Sequence, residues 1–223
     1  MIKLFYTYLA GAIEFAKKDG GVGWRDAITP SLDETGIYVQ DPCQTEPLVT
    51  DMTVMEAQKK FNSWISSGHY EKFNEKFEKV VQKDLRMVHK SDFVIVHLFP
   101  DIPTTGTIHE MAEAWRLHKP IYCIWSDAKS KLSKWALYLV IDSGGKLFDN
   151  KKQLTDYLAI RYDKKIQSLR VLIVQSVKAV FRIIEEKIYM YRLNKIKESL
   201  KELYEPTKEE KKDSTEEATK GEK

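Results

Sequence analysis

Apolar and polar positions along the chain fall into two rhythms, and their alternation predicts the architecture. Residues 3–9 (KLFYTYL) are rich in aromatic residues and broken by Ala10-Gly11, which predicts a strand. A glycine cluster (Gly20, Gly21, Gly23) leads into WRDAITPSLDET, read as a helix to about Thr35 with Gly36 just beyond its end. Residues 37–39 predict a short second strand, stopped by Asp41-Pro42. Residues 43–70 read as a loop and a helix. Phe73, Phe77, Val80, Val81, Leu85 and Val88 recur at helical spacing. Residues 93–99 (FVIVHLF) form a near-continuous apolar run, as a strand covered on both faces requires. A helix over 108–117 and a strand over 121–125 follow. The run 136–141 predicts a last strand, and Ser143-Gly144-Gly145 a turn.

Strands alternating with helices in this way predict an α/β fold, a doubly wound parallel sheet of about five strands with right-handed crossovers. Ligands of such sheets sit at the carboxyl ends of the strands. The informative loops are therefore residues 10–24 and 99–107. From about residue 166 to 203 the pattern changes: Ile173, Val177, Val180, Ile184, Ile188 and Tyr191 step by threes and fours along one long helix. Lys178, Arg182, Glu185 and Glu186 interrupt it too often for a membrane span, which needs about 20 predominantly apolar residues. The expected organisation is an α/β domain over 1–160, an amphipathic helical extension over 161–205 and a disordered charged tail over 206–223.

Composition narrows the function classes. The 223 residues are 43% hydrophobic with five tryptophans, which excludes a wholly disordered chain. Formal net charge is +3, from 36 basic and 33 acidic side chains. Residues 1–160 carry 20 basic against 21 acidic groups (net −1), whereas residues 161–205 carry 11 against 6 (net +5). The mild positive charge thus belongs to the extension, and the cleft at the strand ends is not expected to bind nucleic acid. Two cysteines, Cys43 and Cys123, make neither a disulfide scaffold nor a zinc site, so a reducing, cytoplasmic setting is expected. The apolar stretch from Leu4 to Ile13 superficially resembles a signal peptide, but Glu14 ends it early and a buried strand accounts for it better. The histidines show no metal-ligand spacing, and His97 reads as a satisfied core histidine. No metal and no cofactor is expected.

The chemistry concentrates in residues 84–110, which pair Asp84, late on a helix, with Glu110, in the first turn of the next helix. Two carboxylates in one partly dry cleft can divide the work of a glycosidase, one as nucleophile and one as acid. The plainer alternatives stand beside this. Thr107 and Glu110 fit a capping box, and Asp84 fits a solvated helix face shared with Glu71, Glu75 and Glu78. In the other loop, Trp24 and Arg25 follow Gly23: one a stacking surface or a core anchor, the other a phosphate partner or a surface charge.

Taken in order, Tyr8-Leu-Ala-Gly-Ala-Ile13, Asp84-Leu, Ser91-Asp92-Phe-Val-Ile-Val, the Pro100-Asp101 loop, Gly106-x-x-x-Glu110 and Lys119-Pro120 resemble the nucleoside 2-deoxyribosyltransferases and the related deoxynucleotide N-hydrolases. The resemblance spans roughly residues 3–125. It implies a flavodoxin-like fold and cleavage of the N-glycosidic bond of a 2′-deoxynucleoside or its 5′-monophosphate, the sugar passing to another base or to water. It further implies Glu110 as nucleophile, Asp84 as the proton shuttle to the base, and Tyr8 as the group holding Glu110 or the sugar. Gly11, Gly23, Trp24, Arg25, Thr104, Thr105 and Gly106 become the candidate substrate-binding residues. The transferases typically place an aspartate six positions before the glutamate. Thr104 stands there instead, which suggests that a 5′-phosphate is tolerated or preferred, with Arg25 as its possible partner. A homo-oligomer, dimer or larger, is implied as well, with the C-terminal helix as candidate interface. Two other readings remain open from the sequence: an NAD glycohydrolase, and a non-catalytic nucleotide-binding or oligomerisation module.

Overall fold

A computed structural model describes residues 5–16, 19–162 and 164–204. Five parallel strands, β1 (Phe5–Gly11), β2 (Ile37–Gln40), β3 (Phe93–His97), β4 (Ile121–Ile124) and β5 (Lys146–Phe148), lie in the order β2-β1-β3-β4-β5. The order reverses between β1 and β3, whose register runs from Thr7 opposite Phe93 to Gly11 opposite His97. That reversal is the topological switch point, and both strands end there at the same level. Parallel neighbours need crossovers, and these are the helices α1 (Val22–Glu34), α5 (Tyr70–Lys90), α6 (Thr105–Arg116) and α7 (Lys134–Asp142).

Helices on both faces explain the unbroken apolar run of β3. Val94 and Val96 pack with Met87, Val88, Met111 and Leu139 on one side. Phe93 and Ile95, one residue out of phase, pack with Ile28, Leu32, Leu154 and Leu158 on the other. Leu154 and Leu158 belong to α8 (Lys151–Tyr162), whose last residue stacks Tyr162 on Phe93 with ring centroids 4.5 Å apart. The fold is therefore the flavodoxin-like α/β arrangement.

The fifth strand lies elsewhere than the sequence pattern placed it. Residues 136–141 are the core of α7, capped by Ser133, whose hydroxyl accepts from the Ala136 amide. A six-residue apolar run does not by itself separate a buried strand from a buried helix. Topology decides: a strand here would leave only the Ser143-Gly144-Gly145 turn before the next one, too short to return to a parallel neighbour. The strand is Lys146–Phe148, only three residues long and so without a detectable period.

Residues 42–66 hold three helices rather than one. The short α2 (Pro42–Thr45) and α3 (Pro47–Thr50) each start on a proline, where the missing N–H costs nothing, and they meet at Glu46. The third, α4 (Val54–Ser66), opens with a capping box between Thr53 and Glu56. Ala57 and Phe61 of α4 pack on Val80 of α5, a small cluster beside the strand ends.

The chain divides into two compact units, residues 1–167 and 168–223. The second is described by its helix, α9 (Lys164–Tyr204), in which Ile173, Val177, Val180, Ile184, Ile188 and Tyr191 are all exposed. Phe181, Ile183 and Tyr189 lie off that stripe and are exposed too. The tail expected over 206–223 lies outside the described residues. Among the described residues no helix is long and apolar enough to cross a membrane.

Candidate active site

A cavity of about 190 Å³ opens at the carboxyl ends of β1 and β3. Glu110 and Asp84 line it together with Gly11, Thr104, Thr105 and Gly106. These six candidates, drawn from three separate parts of the sequence, are brought together by the fold. A Cβ built on Gly106 would meet nothing within 4 Å, so the backbone there is open to a ligand. A broader hollow of about 530 Å³ near Trp115 and Asp142, at the C-terminal ends of α6 and α7, contains neither Glu110 nor Asp84.

Glu110 does not cap its own helix. Helix α6 starts at Thr105, before Thr107, and has no side-chain cap. The Glu110 side chain instead turns inward and Oε1 accepts the Tyr8 hydroxyl at 2.6 Å. The capping-box alternative thus gives way to a tertiary contact spanning 102 residues of sequence. Burial raises the Glu110 carboxyl to about 8, the Asp84 charge adds to the rise, and the Tyr8 hydrogen bond partly offsets it. Tyr8 is fully buried and pushed well above its ordinary range by that burial, so it remains a donor.

Asp84 is likewise not a solvated helix carboxylate. Only 14% of its side chain is exposed, and burial pushes it up to about 6 against the pull of Lys83. Two carboxyls of unequal basicity therefore face one cavity, the condition for sharing a single proton near neutral pH.

Four candidates are not part of the cavity wall: Tyr8, which reaches it only through its hydrogen bond to Glu110, and Gly23, Trp24 and Arg25. Arg25 is fully buried beneath it: its guanidinium donates to the carbonyls of Leu9, Gly11 and Gly21 and lies 3.5 Å from Asp41. It ties the end of β1 to the start of α1 and has no free face for a phosphate. Trp24 packs its indole edge against Gly11, where a Cβ would come within 2.8 Å of the ring. The core-anchor reading of Trp24 is the one the packing shows. Gly23 gives its amide to Asp19, and that side chain also holds Gly21. Gly21 has φ 79° and a Cβ there would lie 2.0 Å from the Ala12 carbonyl, so the glycine run shapes the loop rather than a ligand seat. His97 is buried and neutral, its pKa pushed down by burial to about 4, but Nδ1 has no partner within the protein, so it is not fully satisfied.

The sequence pattern missed one wall of the cavity. Phe61, Phe73, Phe77 and Ile65 line it, with the amides of Gln58 and Asn62 one turn apart on α4. Phe73 and Phe77 stack at 4.9 Å and both meet Phe61 edge-on. Phe73 and Phe77 were visible only as part of an apolar helix stripe. The signal that marks them out is structural: Phe77 remains 38% exposed, and its ring helps form the cavity wall. Lys83 and Glu46, buried beside Asp84, also carried no sequence signal.

Comparisons with known proteins bear on the family and the fold. A family model described as nucleoside 2-deoxyribosyltransferase matches residues 7–156, a span that includes Tyr8, Asp84 and Glu110. Among solved structures, a conserved protein from Enterococcus faecalis V583 is similar in fold, with a TM-score of 0.50 and 14% sequence identity over 71% of this chain and 99% of that one. No curated protein sequence matches the chain. With the family match extending over most of its length, the chain belongs to the nucleoside 2-deoxyribosyltransferase family, whose members are glycosyl-transferring and hydrolysing enzymes.

Proposed function

We propose that the protein cleaves the N-glycosidic bond of 2′-deoxynucleosides or their 5′-monophosphates with Glu110 as nucleophile. The observation that carries this reading is the pair Glu110 and Asp84 on one cavity wall, with the buried Tyr8 hydroxyl held on Glu110. In the first half-reaction the Glu110 carboxylate attacks the anomeric carbon, the bond to the base nitrogen breaks, and the electron pair leaves with the base. The one proton of the pair rests on Glu110, the more basic carboxyl, before attack; it passes to Asp84 as Glu110 turns nucleophile, and Asp84 delivers it to that base. Tyr8 holds Oε1 of Glu110 by its hydroxyl and so aims the attacking carboxylate. In the second half-reaction water or another base attacks the glycosyl ester and releases Glu110, while Asp84 takes the proton back.

The Phe61–Phe73–Phe77 wall offers the base a stacking surface, and Gln58 and Asn62 offer amides to its polar edge. Thr104, Thr105 and Thr107 surround the first turn of α6, and their hydroxyls and free amides suit the 5′ end of the sugar, phosphorylated or not. The cavity is small beside the roughly 300–1,000 Å³ typical of drug-sized ligands. That favours a single nucleoside or nucleotide over a dinucleotide such as NAD.

The test is a panel of deoxynucleosides and deoxynucleoside 5′-monophosphates, incubated with and without an acceptor base and resolved by chromatography. Free base identifies a hydrolase and a swapped base a transferase. A non-catalytic module would bind the panel, release nothing, and bind equally well as Glu110→Ala. The homo-oligomer is part of the same proposal, with the exposed apolar stripe of α9 as its interface. The double substitution Val180→Glu/Ile184→Glu is expected to lower the mass found by light scattering to that of one chain. An unchanged mass above one chain would place the interface elsewhere, and a monomeric parent protein would remove the proposal.

A further inference from the structure

Asp84 meets the cavity in the company of a buried ammonium that the reaction scheme above leaves unused. Nζ of Lys83 lies 3.0 Å from the Pro42 carbonyl, 3.0 Å from Glu46 Oε2 and 3.2 Å from Asp84 Oδ1. Lys83 is 9% exposed and Glu46 8%. The ammonium donates hydrogen bonds to the first two oxygens and meets Asp84 Oδ1, which is buried and accepts no hydrogen bond, as an ion-pair partner. Lys83 and Asp84 are consecutive on α5, and side chains one residue apart on a helix point about 100° from each other. Their pairing therefore requires the lysine chain to be drawn sideways, and the pull comes from the Pro42 carbonyl and Glu46 at the junction of α2 and α3.

Such a cluster is a poor device for stability, since apolar residues of the same volume commonly do as well or better. Its position suggests a different use. Glu46 and Asp84 both line the cavity, so the ammonium bridges two carboxylates that would otherwise repel at the site of proton transfer.

We propose that Lys83 and Glu46 are positioning residues for Asp84: Glu46 and the Pro42 carbonyl hold the Lys83 ammonium against Asp84 Oδ1, and this clamp sets the charge with which Asp84 meets the leaving base. The proposal rests on the reading of Asp84 as proton donor. The charged and titratable groups facing Asp84 are Lys83 on its own helix, Glu46 and the Cys43 thiol from the α2–α3 segment, Arg25 from α1, Glu110 from α6 and Tyr8 from β1. Lys83 lowers the Asp84 pKa and Glu46 raises it. The two positioning residues therefore act with opposite signs.

The test is the pH dependence of kcat/KM for base release. In Lys83→Met the low-pH limb, where the first proton leaves the carboxyl pair, is expected to move up by about 1–3 pH units, the usual effect of losing an adjacent opposite charge. In Glu46→Gln, which keeps the shape and an oxygen for Lys83, the limb is expected to move down by about half a unit or more. A role in packing alone would lower activity or melting temperature in both variants without moving the limbs in opposite directions. Glu46→Gln and the double variant carry the test should Lys83→Met not fold. Titration of the Asp84 carboxyl by 13C NMR gives the same signs without any turnover. If the wild-type protein releases no base, the glycosidase reading fails while the NMR titration still decides the clamp. Limbs or 13C midpoints that stay in place, or that move in the same direction in both single variants, overturn it.

Discussion

The protein buries two clusters of opposite charge at the carboxyl edge of one sheet, and they serve different ends. In the first, Arg25 meets Asp41 and three backbone carbonyls, and neither charged side chain lines the cavity. In the second, Lys83 meets Glu46 and Asp84, both on the cavity wall, with Glu110 across from them. The difference shows that burial of charge does not by itself mark a catalytic site. The Arg25 guanidinium is consumed by main-chain acceptors that fix the loop after β1. In the Lys83 cluster, the cation leaves carboxyl groups turned towards a space where a substrate can lie. One cluster holds the site's backbone in place, and the other is the one to which the proposed mechanism assigns proton transfer.

This comparison is open to direct attack. The largest expected effect is on turnover: Glu110→Gln should lower base release by about 10⁴-fold or more, as loss of a nucleophile does elsewhere, with an unchanged circular dichroism spectrum. Arg25→Met should do the reverse. It leaves Asp41 and three carbonyls without their partner, which is expected to cost about 3–5 kcal/mol of stability, read as a lower midpoint in urea. An Arg25→Met protein with wild-type stability and selectively lost phosphate-substrate binding would erase the distinction drawn here.

The pH dependence of stability follows from the sign of the Glu110 shift. Burial raises its folded-state pKa above the unfolded value, so its favourable contribution is complete at low pH, below the unfolded carboxyl pKa. That contribution is lost as pH rises from about 4.5 through about 8. Glu110→Gln, neutral throughout, is therefore expected to be more stable than wild type at pH 9 by about 1–3 kcal/mol and little different at pH 4. Melting curves at the two pH values check it. The smallest effect is at Tyr8→Phe, which removes one hydrogen bond to Glu110. A drop in kcat of about tenfold, worth about 1.4 kcal/mol, is expected with KM little altered. A larger change in KM than in kcat would assign Tyr8 to the sugar instead.

Much of the fold is legible in the chain because its central strands have strong patterns. β3 is apolar at every position because both of its faces are covered, and the long helix α5 repeats its apolar residues cleanly. The failure at 136–141 has a definite cause: a short buried helix and a short buried strand bury the same residue types, and only the crossover requirement separates them. For the site, Tyr8, Asp84 and Glu110 were legible through a resemblance to a family. Their contact was not, since it joins β1 to α6 across 102 residues. Arg25 was misplaced because an arginine after a glycine run looks the same whether it faces a ligand or a ring of carbonyls. The Lys83–Glu46 pair was invisible because a lysine beside an aspartate on a helix ordinarily points away from it.

The central claim is that Glu110 bonds to the sugar, and acid-quenched mass spectrometry tests it most directly. Wild-type protein mixed with a deoxynucleoside or its 5′-monophosphate and quenched during turnover is expected to carry a deoxyribosyl or phosphodeoxyribosyl adduct on the peptide containing Glu110. The same peptide from Glu110→Gln should carry none, with base release abolished. Undiminished base release from Glu110→Gln, or an adduct on another residue, would contradict the account.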